Sequence, residues 1–300
     1  MREVSDGLPP LRNVIAAYGL AAKKSFGQNF LLDFNLTRKI ARSAGPLENV
    51  VVYEVGPGPG GLTRALLSEG AARVIAVERD KRCLPALDDI ARVWPGRLQI
   101  VDGDALALDE ISMLRQHDAA SPVRVMANLP YNIATALLVK WLTVAEWPPF
   151  WDSLTLMFQR EVAQRFVALA GSSDYGRLSV LSQWRTRPRI VFDVDRRAFT
   201  PSPKITSTLV RFEPMRSPIA PARLDDLQTV TAAAFGMRRK MLRQSLKSIA
   251  PKAEEMILAA GLDPRARAQD LDIHAFAALA RLRRAALEGS DTSCESRSVP

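Results

Sequence analysis

Between Asn49 and Gln159 the chain alternates short, unbroken apolar runs with helix-forming segments. The runs read "NVVVYEVG", "RVIAVE", "LQIVD", "VRVMANLP" and "SLTLMFQ". A strand with one wet face alternates apolar and polar residues. These runs do not alternate, so both of their faces are expected to be buried. Buried strands separated by helices imply an α/β fold, with a mostly parallel sheet covered by helices on both sides.

The remaining chain is organised around that unit. Residues 10 to 20 predict a short helix, followed by an irregular "KKSFGQNFLLD". A helix over 35–44 is supported by Leu36, Ile40 and Ala44 on one face and by Gly45 as its stop. The segments after the first, second, fourth and fifth strands predict helices, the fourth-strand one spanning 133–146. After about residue 175 the alternation lapses. There "LSVLSQWRTRPRIVFDV" and "STLVRFEP" are expected to pair as antiparallel strands at one edge, which makes the sheet seven-stranded. The proline-rich "PMRSPIAPAR" reads as a linker. The expected division is a catalytic domain over 1–214 with an N-terminal arm over 1–34, a helical domain over 223–286, and a disordered tail over 287–300 whose composition lacks apolar residues.

Composition narrows the functional classes. No apolar run reaches the length of a membrane span, and the first residues lack the apolar core of a secretory signal. Two cysteines and two histidines, widely separated, give neither a disulfide framework nor a metal-binding spacing. A reducing, cytoplasmic setting is expected. The net charge of +9 suggests a polyanionic partner.

The loop "YEVGPGPGGLT" follows the first strand. Gly56, Gly58 and Gly60 permit close approach of a ligand to the backbone. Pro57 and Pro59 remove two N–H donors, which argues against a loop that cradles a pyrophosphate. The spacing Gly56-x-Gly58-x-x-Gly61 alone fits several cofactors. The acids discriminate further. Glu54 precedes the loop, placed to meet a cationic amino group. Glu78 ends the second strand, where a carboxylate can accept ribose hydroxyls. Asp104 follows the third strand, within reach of an adenine amino group. A ligand with an ammonium, a ribose and an adenine but no phosphate matches this set, and S-adenosylmethionine is such a ligand. The alternative is that Glu78 and Asp104 merely cap local turns.

At the end of the fourth strand stands "NLPYNI". A turn alone does not need this many hydrogen-bonding groups. An exocyclic amine conjugated to a ring is a poor nucleophile. A site acting on it must hold both N–H bonds with acceptors. The Asn128 side-chain oxygen and the Leu129 carbonyl are suited to that, Pro130 fixes the carbonyl direction, and Tyr131 offers a flat face for a base.

Together "KKSFGQNFL", "EVGPGPGGLT", "NLPYNI", "FTPSPKITST" and "AFGMRRKMLRQSL" resemble the ribosomal RNA adenine N6-dimethyltransferases of the KsgA type, over about residues 10 to 285. The resemblance implies a Rossmann-like, S-adenosylmethionine-dependent methyltransferase fold with a smaller all-helical C-terminal domain. It also implies that Asn29 and Leu31 join Glu54, Gly56, Gly58, Gly60, Glu78, Asp104 and Asn128 at the cofactor. The implied substrate is a pair of adjacent adenines in a hairpin loop near the 3′ end of the small-subunit rRNA, in a precursor 30S particle. A monomer is the expected state. Antibiotic-resistance relatives that methylate large-subunit RNA share the asparagine-x-proline-aromatic motif. Gln244 stands where many relatives are expected to carry asparagine.

Phe199 is read in two ways: as a core residue, or as a second aromatic face against a flipped base opposite Tyr131. Residues 223–286 hold twelve Lys/Arg against seven Asp/Glu, so the basic excess is local. Arg238, Arg239, Lys240, Arg243 and Lys247 are candidate RNA contacts, with Arg239, Arg243 and Lys247 on one face of an expected helix. Arg185, Arg187 and Arg189 are expected to share one strand face. A solvated charged surface is the alternative for both groups. Two other functions compete. An RNA-binding assembly factor without chemistry predicts that a catalytically dead chain still supports particle maturation. A dehydrogenase predicts NAD binding but leaves "NLPYNI" unexplained.

Overall fold

The computed structural model describes residues 6–23, 27–117 and 122–295. Two compact units emerge. One comprises the chain up to Ala163 with Arg189–Pro214. The other comprises Gln164–Pro188 with the chain from Met215 onward.

The first unit is the α/β layer structure. Its elements, in chain order, are α1 (Leu11–Ala17), β1 (Phe30–Leu31), α2 (Phe34–Ser43), β2 (Val51–Val55), α3 (Gly61–Ser68), β3 (Arg73–Glu78), α4 (Leu84–Val93), β4 (Leu98–Asp102), α5 (Glu110–Gln116), β5 (Val123–Ala127), α6 (Tyr131–Leu142) and β6 (Ser153–Gln159). Then follow α7 (Arg160–Val167), α8 (Arg177–Arg185), β7 (Thr186–Val194), β8 (Phe199–Thr200) and β9 (Ser207–Pro214), with α7, α8 and the start of β7 reaching into the second unit. The seven-stranded sheet has the order β4-β3-β2-β5-β6-β9-β7. Strands β4, β3, β2, β5 and β6 are parallel, and β9 returns antiparallel to β6 with Leu154 opposite Phe212. The fold is the expected mostly parallel α/β sheet.

Strand order reverses at β2, which lies between β3 and β5. Ligands of open α/β sheets bind outside the carboxyl ends of the strands at such a point. In register, Glu54 of β2 stands beside Met126 of β5, so the glycine loop and the Asn128 turn leave the sheet side by side. Val52, Ala65, Leu66, Val74 and Ala76, all fully buried, belong to the core that fixes these strand ends. Local signals behave as their chemistry dictates. Asp33 caps α2 by accepting from the Asn35 and Leu36 amides, and Gly45, with φ of +84°, ends it.

The second unit is helical, with α9 (Leu224–Gly236), α10 (Leu242–Ser245), α11 (Ala253–Ala259) and α12 (Ile273–Glu295). Its core gathers Tyr175, Trp184, Leu227, Val230, Leu246, Ile257, Phe276 and Leu279.

Four expectations change. First, "LSVLSQW" is helix α8, not strand. Trp184 buries its ring in the helical core and donates Nε1–H to the Ala220 carbonyl at 2.7 Å, so tertiary packing overrides β-propensity. The proline-rich linker is therefore tied down at Ala220 rather than free. Second, Gln164–Pro188 joins the helical unit, so the boundary drawn at 214 is crossed by that segment. Third, the helix placed at 133–146 runs from Tyr131 to Leu142, because Pro130 presets the first turn and its carbonyl accepts from the Ile133 and Ala134 amides. Fourth, the tail from 287 is helical to Glu295. No proline interrupts α12 before Pro300, and residues 296–300 lie outside the described residues.

Candidate active site

A cavity at the switch point is lined by Gly56, Pro57, Gly58, Pro59 and Gly61 of the glycine loop, with Asn29, Leu31, Glu54, Glu78, Asp104, Asn128, Leu129, Pro130, Tyr131 and Phe199. Gly60, expected at the cofactor, is not among the lining residues, because its open side faces Ile90 and Leu87. Residues from six separate stretches of sequence thus meet in one place. Of the "KKSFGQNFL" block, residues 24–26 lie outside the described residues, while Gly27 to Leu31 all line the cavity.

The glycine loop spends its own donors. Gly56 donates its amide to Val77 O at 2.9 Å, Gly58 to Glu78 Oε2 at 2.8 Å, and Gly60 to Pro57 O at 3.0 Å. Pro57 and Pro59 have none. No amide from residue 56 to residue 60 remains to cradle a phosphate. Glycine is required at Gly60 for two reasons: its φ is +87°, and an added Cβ would lie 2.1 Å from Ile90 Cδ1.

The acids sit in three different environments. Glu54 is buried, and its Oε2 accepts the Thr63 hydroxyl at 2.7 Å. Burial pushes its carboxyl up to about 8, against the smaller opposing effect of that hydrogen bond. Glu78, the last residue of β3, joins the loop to the turn after its own strand, taking the Gly58 amide on one oxygen and the Asp80 amide on the other at 2.7 Å. Burial raises it, and those two backbone bonds partly offset the rise. Asp104 is more open. One oxygen pairs with Arg79 Nη1 at 2.9 Å and the other accepts the Leu106 amide at 3.0 Å. Asp104 therefore caps its own turn, as the simpler reading had it, while also lining the cavity.

Glu54 gives a pH prediction. At pH 7 it is protonated in the folded chain and ionised in the unfolded one. The folded state holds the extra proton, so this group's stabilisation is complete below its ordinary carboxylate range and is lost as pH rises through about 8. Its contribution falls by about 1.4 kcal/mol per pH unit across that window. Urea unfolding of Glu54→Gln without cofactor should show a flatter stability profile from pH 5 to pH 8 than the parent chain. Parallel profiles would refute the assignment.

The turn after β5 is held from outside its own segment. Asn128 Nδ2 donates to the Asn29 carbonyl at 3.1 Å. A carbonyl can only accept, so the amide nitrogen must face Asn29, which leaves Oδ1 as the acceptor of a side chain that lines the cavity. Tyr131 is the first residue of α6, and its hydroxyl meets Ser207 Oγ at 2.5 Å, which fixes the ring. Leu129 is 2% exposed. Phe199 lies opposite Leu31 in the β1–β8 pair and is 3% exposed, so it is a core residue that also forms part of the cavity wall.

The basic residues disperse more than expected. Arg238, Arg239 and Lys240 occupy a turn after Gly236, and only Arg243 and Lys247 fall in the short helical stretch that follows. The single face at i, i+4, i+8 does not exist, because α9 stops at Gly236 and Met241 is extended in a bridge to Arg267. Arg239, Lys240 and Lys247 are exposed, Arg238 donates to Ser173 O at 2.5 Å, and Arg243 lies 3.9 Å from Glu254. Arg185 ends α8 and is buried, whereas Arg187 and Arg189 are exposed in β7. Thr63, Ser207, Gln28 and Asp80 were not anticipated at the site. Gln28 donates to Asp80 at 3.0 Å, and both line the cavity. Only the amide in "GQN" hinted at one of these four residues.

A parallel sheet with its crevice at the switch point, acids at successive strand ends and a loop with no amide left for phosphate defines an S-adenosylmethionine-dependent methyltransferase. The ribosomal RNA adenine dimethylase family matches residues 19–283, and the chain belongs to that family. It is an S-adenosylmethionine-dependent rRNA adenine dimethyltransferase. The chain is 58% identical over 277 residues to the ribosomal RNA small subunit methyltransferase A of Jannaschia sp. (strain CCS1), covering 92% of this chain and 94% of that protein. It is 60% identical to the protein of that name from Mesorhizobium japonicum, over 91% of this chain and 98% of the relative. Among solved structures, the 23S rRNA methyltransferase ErmE is similar with a TM-score of 0.63 and 25% identity, covering 85% of this chain and all (100%) of that one. A dimethyladenosine transferase from Plasmodium falciparum shares the fold, with a TM-score of 0.64, 24% identity and coverage of 81% and 93%. Among the described residues no helix is long and apolar enough to cross a membrane, and no acid, histidine or cysteine cluster is arranged for a metal.

Proposed function

We propose that the chain dimethylates N6 of two adjacent adenines in a hairpin loop near the 3′ end of the small-subunit rRNA, acting as a monomer on a precursor 30S particle in the cytoplasm. The observation that carries the chemistry is the Asn128–Asn29 hydrogen bond, which turns Oδ1 of Asn128 into a fixed acceptor on the cavity wall. The choice of small-subunit RNA rests on relatives named small subunit methyltransferase A at 58% and 60% identity.

Glu54 would hold a cationic group of the cofactor, Glu78 the ribose hydroxyls and Asp104 the adenine side, with Asn29, Leu31, Gly56 and Gly58 shaping the wall and Gly60 setting the turn behind it. S-adenosylmethionine supplies an electrophilic methyl group. Asn128 Oδ1 and the Leu129 carbonyl accept the two N–H bonds of the target amine, drawing its nitrogen out of conjugation with the ring. Pro130 sets the direction of that carbonyl, and Tyr131 and Phe199 pack against the flipped base. A nitrogen–carbon bond forms as the sulfur–carbon bond breaks, and the acidic methylammonium product releases its proton to water. No strong base is needed. In the helical unit, a 223–286 RNA-binding domain in this reading, Arg238, Arg239, Lys240, Arg243 and Lys247 contact phosphates.

The test is labelled methyl transfer to unmethylated small-subunit particles and, separately, to large-subunit RNA. N6,N6-dimethyladenine at adjacent positions in the small-subunit RNA is the expected result. Transfer to the large-subunit RNA alone would overturn it.

A further inference from the structure

We infer that Lys140 is a positioning residue that clamps the adenine-side wall of the cofactor cavity to the helix carrying the substrate motif. The inference rests on the reading above, in which the Asp104 side takes the adenine of the cofactor.

That wall is the turn between β4 and α5, which contributes Gly103, Asp104 and Ala105 to the cavity. The turn is closed on itself. The Asp104 carbonyl accepts from Ala107 at 2.9 Å and from Leu108 at 3.1 Å. Two carbonyls of the same turn face away from it, and both end on one ammonium. Lys140 Nζ donates to Ala105 O at 2.9 Å and to Leu108 O at 2.5 Å. Its third contact is Glu110 Oε1 at 2.8 Å, an oxygen that also accepts Trp141 Nε1–H at 2.8 Å. An ammonium has three donors, so Lys140 is saturated by this one turn and the acid that follows it.

The other end of the connection is α6. Tyr131 opens that helix and Lys140 lies nine residues on, roughly 14 Å along a rigid rod. Leu137, Leu138, Trp141 and Leu142 are all at most 1% exposed, so the helix cannot shift freely against the sheet. Glu110 is itself buried, which holds the ammonium in place. Besides Lys140, the turn is tied to β3 by the Gly103 amide, which donates to Glu78 O at 3.0 Å, while Leu106 is 38% exposed and the Asp104 carboxylate reaches out to Arg79. Lys140 thereby holds the wall that receives the cofactor's base in its binding-ready position against α6.

The test compares Lys140→Met/Glu110→Gln with Glu110→Gln. The double variant removes the clamp without leaving a buried carboxylate unpaired, and glutamine can still accept from Trp141. Steady-state methyl transfer gives kcat and KM, and calorimetry with S-adenosylmethionine alone gives Kd. Relative to Glu110→Gln, the double variant should raise cofactor KM and Kd about 10-fold, the factor that losing one charged hydrogen bond corresponds to. Its kcat at saturating cofactor should match that of Glu110→Gln. Unchanged KM and Kd, or a fall in kcat alone, would overturn the inference. If the double variant fails to fold, Lys140→Arg keeps the charge beside Glu110, but its planar fork cannot bring three donors from one nitrogen onto Ala105 O, Leu108 O and Glu110 Oε1. It should raise Kd in the same direction, and an unchanged Kd would again be refuting. Asp104→Ala separates the two levels: an unchanged cofactor Kd there overturns the reading of Asp104, while the Lys140 result still decides the clamp.

Discussion

Asn128→Ala is expected to slow methyl transfer by about 10²–10³-fold, the loss typical of removing one preorganised polar contact from a reacting centre. The side chain is turned by its bond to the Asn29 carbonyl, so its acceptor is in place before any substrate arrives. Alanine leaves the target amine with only the Leu129 carbonyl, and the nitrogen stays conjugated with its ring. Cofactor binding should remain measurable, because Glu54, Glu78 and the glycine loop are untouched. Asn128→Asp is the informative companion. It keeps an acceptor but loses the donor to Asn29, so it should recover only part of the rate. Single-turnover kinetics at saturating cofactor would read the effect on chemistry directly, and retained activity in Asn128→Ala would remove Asn128 from the mechanism.

Asp226→Ala should cost the helical unit about 3 kcal/mol, the low end of what breaking a buried ion pair costs. Asp226 on α9 is 1% exposed, and each of its oxygens takes an arginine of α12: Arg283 Nη1 at 2.5 Å and Arg284 Nε at 2.8 Å. Removing the carboxylate leaves two guanidinium groups beside an apolar helix seam. Both are partly exposed and can turn toward water, which keeps the cost from being larger. Chemical denaturation followed by the far-ultraviolet signal would measure it. A loss below about 1 kcal/mol, the size of an ordinary surface pair, would show that the arginines resolvate freely. Asp226→Asn should fall between the two.

The sheet was legible because its signal is local. Unbroken runs such as "VRVMA" permit little besides a strand buried on both faces, and Gly56, Glu78, Asp104 and Asn128 follow from where those runs end. The partners that tune the site were not legible. Thr63 lies nine residues from Glu54, Ser207 seventy-six from Tyr131, and Asn29 ninety-nine from Asn128. Nothing in the sequence marks such pairs, since each forms only when separate segments meet at one sheet edge. Segment 177–185 misled for a related reason. Its β-prone "LSVL" becomes helical once Trp184 is buried against Ala220. The basic stretch misled through Met241, whose extended bridge to Arg267 delays the helix to Leu242 and leaves residues 238–240 in a turn.

The closed hydrogen bonding of the glycine loop has a consequence for the enzyme in a cell. ATP, NAD and coenzyme A all carry adenosine, and all are abundant. Each brings phosphates that would meet no free amide between Gly56 and Gly60, and the acids Glu78 and Asp104 line the same cavity. The backbone from Gly56 to Gly60 thus favours an adenosine ligand without phosphate. Methylation should therefore follow the supply of the sulfonium cofactor and be insulated from swings in cellular energy charge.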